Sequence, residues 1–279
     1  MTEKKKYAND AVIVISNEKV AEDHYVLTLG EPMMAAEAEP GQFFQVRLKG
    51  EGAPFLPRPF SLYDWHVDDS GQKIAIKLLY KVVGKGTAAL SKLSHGDSVA
   101  VTGPLGNSFS CPEAGKTIII AAGGIGIAAF FAFVRQCIEA GFPAKDIHLL
   151  YGARCNSLLV EYQRFAALGA QVSVITDDGS CGVKGTVLDL IKEHIASGSR
   201  EDFRIYACGP AAMERAIARY CQETGTAGEL SLEARMICGV GVCNSCAVEV
   251  KSDKAPGGWD YKLVCRDGPV FSAASLYLT

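Results

Sequence analysis

Four cysteines near the C-terminus, Cys238, Cys243, Cys246 and Cys265, stand in the order C-x4-C-x2-C, with the fourth after a gap of 18 residues. Three thiolates from one tight loop and a fourth from a separate segment are the ligand order of a 2Fe–2S cluster. The loop interior, Gly239-Val240-Gly241-Val242, contains two glycines, so its backbone can curl closely and turn N–H groups toward sulfur. A zinc site of four thiolates is the competing reading, but zinc modules usually bring two separated C-x2-4-C pairs. Three packed ligands and one outlier favour iron. Such a cluster moves one electron at a time, so the rest of the chain has to supply or remove electrons.

With 279 residues, 48% of them hydrophobic and 21% charged, the chain has material for two or three domains. The net charge of −3 and the lack of a long basic run, beyond Lys4-Lys5-Lys6, give no nucleic-acid footprint; those lysines read as a solvated tail. The start Met1-Thr2-Glu3-Lys4 opens no secretory segment, which implies a reducing, cytoplasmic setting. The other six cysteines, Cys111, Cys137, Cys155, Cys181, Cys208 and Cys221, lack metal spacing and read mostly as small buried apolar residues. Thr117 to Val134 carries no charge over 18 residues, the lower limit for a membrane span. Gly123-Gly124 interrupts it, so strand, glycine turn and helix is the better reading.

From Lys116 apolar strands alternate with helical segments: Ile118–Ala121, a helix from Ala128 to about Ala140, Ile147–Tyr151, a helix near Leu159–Leu168, Val172–Thr176, a helix at Val187–Ile195, Arg204–Ala207 and a helix at Ala212–Glu223. This alternation predicts a parallel sheet covered by helices, with ligands at the carboxyl ends of its strands. Two loops fall there. Gly123-Gly124-Ile125-Gly126 follows the first strand and lets backbone N–H groups approach a pyrophosphate; Cys208-Gly209-Pro210 ends the last strand and starts a helix. Each also has a plain reading as structural punctuation. Before Cys111 the texture changes to short strands at Val12–Ser16, Tyr25–Leu29, Phe43–Leu48, Ile74–Tyr80 and Ser98–Thr102, which predicts an all-β sandwich or barrel.

Read in order, Arg58-Pro59-Phe60-Ser61, the Gly84-Lys85-Gly86-Thr87 turn, Gly103-Pro104-Leu105-Gly106, Gly123 to Gly126 and Cys208-Gly209-Pro210 resemble the ferredoxin-NADP reductase superfamily. With the four cysteines added, the chain resembles the iron–sulfur electron-transfer subunit of NAD-dependent, B-type dihydroorotate dehydrogenase. The closer signatures are Tyr80 to Thr87, Thr176-Asp177-Asp178-Gly179-Ser180, Ser231-Leu232-Glu233-Ala234-Arg235-Met236 and Val264-Cys265-Arg266-Asp267-Gly268-Pro269-Val270-Phe271. The resemblance implies three units: a β-barrel FAD domain (1–112), an α/β parallel-sheet NAD domain (113–230) and a small C-terminal 2Fe–2S domain (231–279).

It also implies roles. Arg58, with Pro59 and Phe60, would lie along FAD and pair with its pyrophosphate, and Ser61 would contact the flavin ring. Leu79, Tyr80 and Lys81 would line the ribityl and adenosine portion, and Gly86 with Thr87 would donate hydrogen bonds to phosphate. Gly123, Gly124 and Gly126 would hold the NAD pyrophosphate, although residues 128 and 129 are both Ala where proline is frequent in the family. Cys208, with Gly209 and Pro210, would sit over the nicotinamide, or Cys208 is a core cysteine. Asp177 and Asp178 would bind ribose hydroxyls and repel the extra phosphate of NADP, or they are solvated turn aspartates; Arg154 is the residue able to oppose them. Glu233 would relay a proton or cap local backbone.

Nicotinamide exchanges two electrons as hydride, the cluster exchanges one, and a flavin does both, so FAD would convert between them. The implied partner is an FMN-containing catalytic subunit, in a heterotetramer with two copies of each chain, that would oxidise dihydroorotate for pyrimidine biosynthesis. The alternative is a subunit serving a hydrogenase, a ferredoxin-NADP oxidoreductase or an oxygenase. A redox sensor is a third reading, against which the nicotinamide loops argue.

Overall fold

The computed structural model describes residues 7–50, 52–112, 115–197 and 203–278; the lysine run at 4–6 lies outside them. Seven antiparallel strands come first: β1 (Tyr7–Ala21), β2 (His24–Gly30), β3 (Phe43–Arg47), β4 (Arg58–Ser61), β5 (Asp64–Val67), β6 (Lys73–Lys81) and β7 (Ser98–Leu105). They hydrogen-bond in the order β4-β3-β7-β1-β2-β6-β5. Only Leu62 and Tyr63 separate β4 from β5, and their N–H groups donate to Gln42 and Lys77 carbonyls at 2.9 and 3.0 Å. One short stretch of chain thus joins both sheet edges, and the sheet curls into a barrel. Val12, Val14, Leu27, Leu29, Phe44 and Leu78 fill it, and helix α1 (Pro32–Glu37) adds Met34 and Ala35 to the same core. Helix α2 (Lys85–Leu90) follows β6.

The second sheet is built on β8 (Thr117–Gly123), whose Ile118, Ile119 and Ile120 are buried on both faces, as a strand covered by helices must be. It continues with β9 (Ile147–Ala153), β10 (Gln171–Thr176), β11 (Val183–Lys184), β12 (Phe203–Cys208) and β13 (Gly228–Ser231), all parallel. Helices α3 (Phe131–Glu139), α4 (Tyr162–Ala167), α5 (Val187–Ser197) and α6 (Ala211–Thr224) alternate with the strands. The uncharged stretch from Thr117 is a strand, a glycine turn and a helix, and among the described residues no helix is long and apolar enough to cross a membrane.

Two helices are shorter than the sequence pattern predicts. Residues 124–129 form 3₁₀ turns before α3 begins at Phe131, because the Ala132 N–H is held by the Tyr63 carbonyl at 2.9 Å and the chain docks on the barrel first. α4 starts only at Tyr162, because Glu161 takes a left-handed conformation (φ 59°) while its carboxylate accepts the Tyr63 hydroxyl at 2.6 Å. Of the six cysteines outside the cluster motif, Cys137, Cys208 and Cys221 are buried, Cys155 and Cys181 are half-buried, and Cys111 is exposed.

The C-terminal segment makes a hairpin, β14 (Ala247–Lys251) and β15 (Trp259–Leu263), then a turn of helix α7 (Val264–Asp267). Its last strand, β16 (Val270–Ser272), pairs antiparallel with β13, so the C-terminal segment completes the edge of the second sheet. Asn107 ties this return to the barrel: its N–H donates to the Gly268 carbonyl at 2.6 Å, and its side chain exchanges hydrogen bonds of 2.8 and 2.9 Å with Val270. The motifs at Gly103–Gly106 and Arg266–Phe271 therefore meet at one seam.

Candidate functional site

A cavity of about 300 Å³ opens between β4, β6 and the segment after β13. Arg58, Pro59, Phe60 and Ser61 from β4 and Leu79, Tyr80 and Lys81 from β6 form its barrel wall. Opposite them stand Leu232, Glu233, Ala234 and Met236, with Cys208 at the end of β12. Tyr80 is fixed by a hydrogen bond from its hydroxyl to Asn17 (3.1 Å) and by stacking on Tyr25. The Arg58 side chain lies on Gly86, where a Cβ would come within 2.9 Å of Nε, and it donates to the Leu56 carbonyl at 2.7 Å. Gly86 lies beneath that guanidinium and does not line the cavity. Thr87 does line it, but its hydroxyl accepts N–H groups of Val83 and Gly84 and donates to the Gly84 carbonyl, so the local turn uses the group expected on phosphate.

A second cavity of about 580 Å³ lies at the carboxyl ends of the parallel strands, lined by Gly123, Gly124, Gly126, Gly209 and Pro210 among others. Gly124 is left-handed (φ 52°) with open space where a Cβ would stand. Gly126 has a different reason to be glycine: a Cβ there would come within 2.3 Å of the Cys208 carbonyl oxygen. The two loops singled out in the sequence are thus packed backbone to backbone. Arg154 and Asp177 line the far end of this cavity, whereas Asp178 folds back on Ser180, accepting its N–H and hydroxyl at 2.9 and 2.6 Å. His24 from the barrel also lines it; nothing in the sequence pattern marked that residue.

Lys81, Ile125, Gly126 and Glu233 border both cavities, so the two meet there. Glu233 keeps accessible surface, but that surface faces the cavities, and the protein around it raises its carboxyl above the usual range. Burial, reinforced by the charges of Glu214 and Glu233, pushes the Cys208 thiol well up, which suits a neutral wall rather than a nucleophile.

The four cysteines come together as two pairs. Cys246 and Cys265, both buried, have sulfurs 3.3 Å apart; Cys238 and the exposed Cys243 are in side-chain contact. Two pairs match two irons better than one zinc. Backbone N–H groups of Val240, Val242 and Cys243 point at the Cys238 sulfur from 3.5, 3.4 and 3.4 Å, and they hold its thiol below the ordinary value despite the opposing effect of burial. Gly239 is left-handed (φ 69°) and faces Gln45 of β3, whose Nε2 a Cβ would meet at 2.5 Å. The cluster loop is therefore seated directly on the barrel.

Three family models match the chain: an oxidoreductase FAD-binding domain over residues 11–109, an oxidoreductase NAD-binding domain over 120–219, and the iron-sulfur cluster binding domain of dihydroorotate dehydrogenase B over 233–277. The electron transfer subunit of dihydroorotate dehydrogenase B (NAD(+)) from Caldanaerobacter subterraneus subsp. tengcongensis is 36% identical over 93% of this chain and 95% of its own. The subunit of the same name from Desulforamulus reducens is 38% identical over 92% and 94%. Among solved structures, the NADH-dependent reduced ferredoxin-NADP oxidoreductase is similar with a TM-score of 0.80 and 29% identity, over 97% of this chain and 91% of that one.

Proposed function

The chain belongs to the family of electron-transfer subunits of NAD+-dependent dihydroorotate dehydrogenase B, and on that premise we propose that it carries electrons from an FMN-containing, dihydroorotate-oxidising partner to NAD+ in the cytoplasm, within a heterotetramer of two copies of each chain. The observation that carries the reading is the meeting of the two cavities at Lys81, Ile125, Gly126 and Glu233. A hydride donor and acceptor must be in contact to react, and this junction allows it. The work divides along the chain, with 1–112 holding FAD, 113–230 holding NAD and 231–279 holding the cluster. FAD, when bound, interconverts one-electron and hydride chemistry.

The residues of the chain supply position and charge. Arg58, seated on Gly86, places a guanidinium in the wall of the first cavity, suited to a diphosphate. Ser61 stands at the barrel wall, placed to hydrogen-bond the reacting edge of a ring in that cavity. Lys81 supplies positive charge to both cavities, and the open Gly124 turn presents backbone to the second. Cys208, buried and neutral, closes the inner wall and keeps water out. Glu233, its carboxyl raised by desolvation, is the acidic group at the junction placed to hold or move a proton. Cys238, Cys243, Cys246 and Cys265 would hold the irons, with the exposed Cys243 on the side a partner can approach.

The test is purification from the native host with analysis of what accompanies the chain. FAD, iron, bleaching of the flavin by NADH and a bound FMN protein that oxidises dihydroorotate are expected. A partner of hydrogenase or oxygenase type, or zinc in place of iron, would refute the reading.

A further inference from the structure

Glu214 takes no part in the chemistry described above, and its place is unusual for a carboxyl. It stands in the first turn of α6 on the face that also buries Ile217, Ala218 and Cys221, and it is only 5% exposed. Its Oε1 accepts the Gly209 N–H at 3.2 Å. That N–H lies in the middle of the Cys208-Gly209-Pro210 turn, where Cys208 lines one cavity and Gly209 and Pro210 line the other. A carboxylate so placed acts on the turn and on whatever rests against it.

Resting on the nicotinamide seat argued above, we propose that Glu214 is a positioning residue whose proton occupancy sets the preference of this site for oxidised over reduced nicotinamide. The oxidised ring is cationic and the reduced ring is neutral. Ionised Glu214 lies just behind the turn in a poorly solvated place, attracts the cationic ring and gains little from the neutral one. By linkage, the oxidised nucleotide draws the proton off Glu214 and the reduced nucleotide returns it. When hydride reaches the oxidised ring, two electrons and a proton are added and the positive charge there disappears. A proton taken from solvent by the Glu214 carboxylate then restores the local charge.

The surroundings bring this exchange into the working range of pH. Burial pushes the Glu214 carboxyl up to about 8; the Gly209 N–H opposes that, Glu233 in the segment after β13 adds to it, and Arg215 on the same helix opposes it. Cys208 on β12 faces the same carboxyl and stays neutral, its thiol raised by burial and by both glutamates.

The experiment is equilibrium titration of the flavin- and cluster-loaded protein, in its oxidised form, with NAD+ and with the unreactive neutral analogue tetrahydro-NADH. Flavin difference absorbance is followed from pH 6 to 9.5. The expected result is a shift of the affinity ratio toward NAD+ of about tenfold as pH rises through 8, one unit of pKa difference between the two complexes. Glu214→Gln abolishes the shift, and Glu233→Gln keeps a shift at lower pH. A ratio that does not change with pH in the wild-type protein, which needs no variant to fold, overturns the proposal. So does an unchanged shift in Glu214→Gln, or in Glu214→Met, which matches the apolar face of the helix. Failure of both nucleotides to bind at any pH would overturn the nicotinamide seat itself and the proposal with it.

Discussion

Replacing Asp64 by asparagine tests whether the barrel and the nucleotide sheet are held together by charge. Asp64 is 2% exposed, and its two oxygens are divided between Arg135 of α3 at 2.5 Å and Arg164 of α4 at 3.0 Å. Arg164 also donates to the Tyr63 hydroxyl at 2.9 Å and lies 4.0 Å over the Phe131 ring. Asparagine keeps the shape and one acceptor, which can still receive the Trp65 N–H, but the two guanidinium groups lose their shared buried counter-charge and keep only Glu139 and Glu161, at 3.3 and 3.4 Å. Breaking a buried ion pair costs about 3–5 kcal/mol when the remaining charge stays buried. Here the Arg135 and Arg164 side chains are 22% and 39% exposed and can recover water, so the expected loss is about 2–3 kcal/mol. At about 2–4 °C per kcal/mol this lowers Tm by roughly 5–10 °C. Calorimetry of Asp64→Asn, Arg135→Ala and the double variant measures it. A drop below about 1 °C, or losses in the single variants that simply add in the double, would refute the idea that this network couples the two units.

Three further outcomes are expected. Cys243→Ser loses the cluster absorbance and most of the iron while NADH still reduces the flavin, because the exposed Cys243 lies outside both cavities and serine oxygen is a poor iron ligand; metal analysis and stopped-flow bleaching check it. NADH exceeds NADPH in kcat/KM by about tenfold or more, since an extra phosphate would meet Asp177, and Asp177→Ala narrows the gap by exposing it to Arg154 alone. Gly126→Ala raises the KM for NADH by about tenfold or more with iron content retained, because the backbone carbonyl that its Cβ would strike cannot move aside without displacing Cys208.

The parts of this molecule legible in the sequence are those fixed by covalent chemistry or by long apolar runs. Cysteine spacing marked the cluster loop because thiolate ligands have few substitutes, and Ile118–Ile120 marked the central strand because a strand covered on both faces must be apolar throughout. What escaped depends on partners distant in sequence. β4 is four residues long and contains a proline, and only its pairing with β3 makes it a strand. The late start of α4 is set by Glu161 reaching Tyr63 across 98 positions of chain. Glycine at 126 suggested phosphate, yet contact with Cys208 already requires it. Glu214 did leave a trace, a charge on the stripe of Ile217, Ala218 and Cys221, which helical spacing alone could have exposed.

The cluster loop rests on Gln45 of the barrel through Gly239, while the helix carrying Cys265 leads into Gly268 and Val270, which Asn107 holds, and on to β16 at the edge of the nucleotide sheet. The C-terminal unit is therefore a wedge fixed to both other units, and not a tethered module. Hydride transfer between rings fails over small misplacements. Since Leu232, Glu233, Ala234 and Met236 wall the first cavity and lie on the way from β13 to the cysteine loop, one stretch of backbone sets that cavity and the loop together. A change that loosens the cysteine loop at Gly239 should then reach the first cavity through Met236, whose sulfur lies 3.8 Å from the Gln45 amide nitrogen.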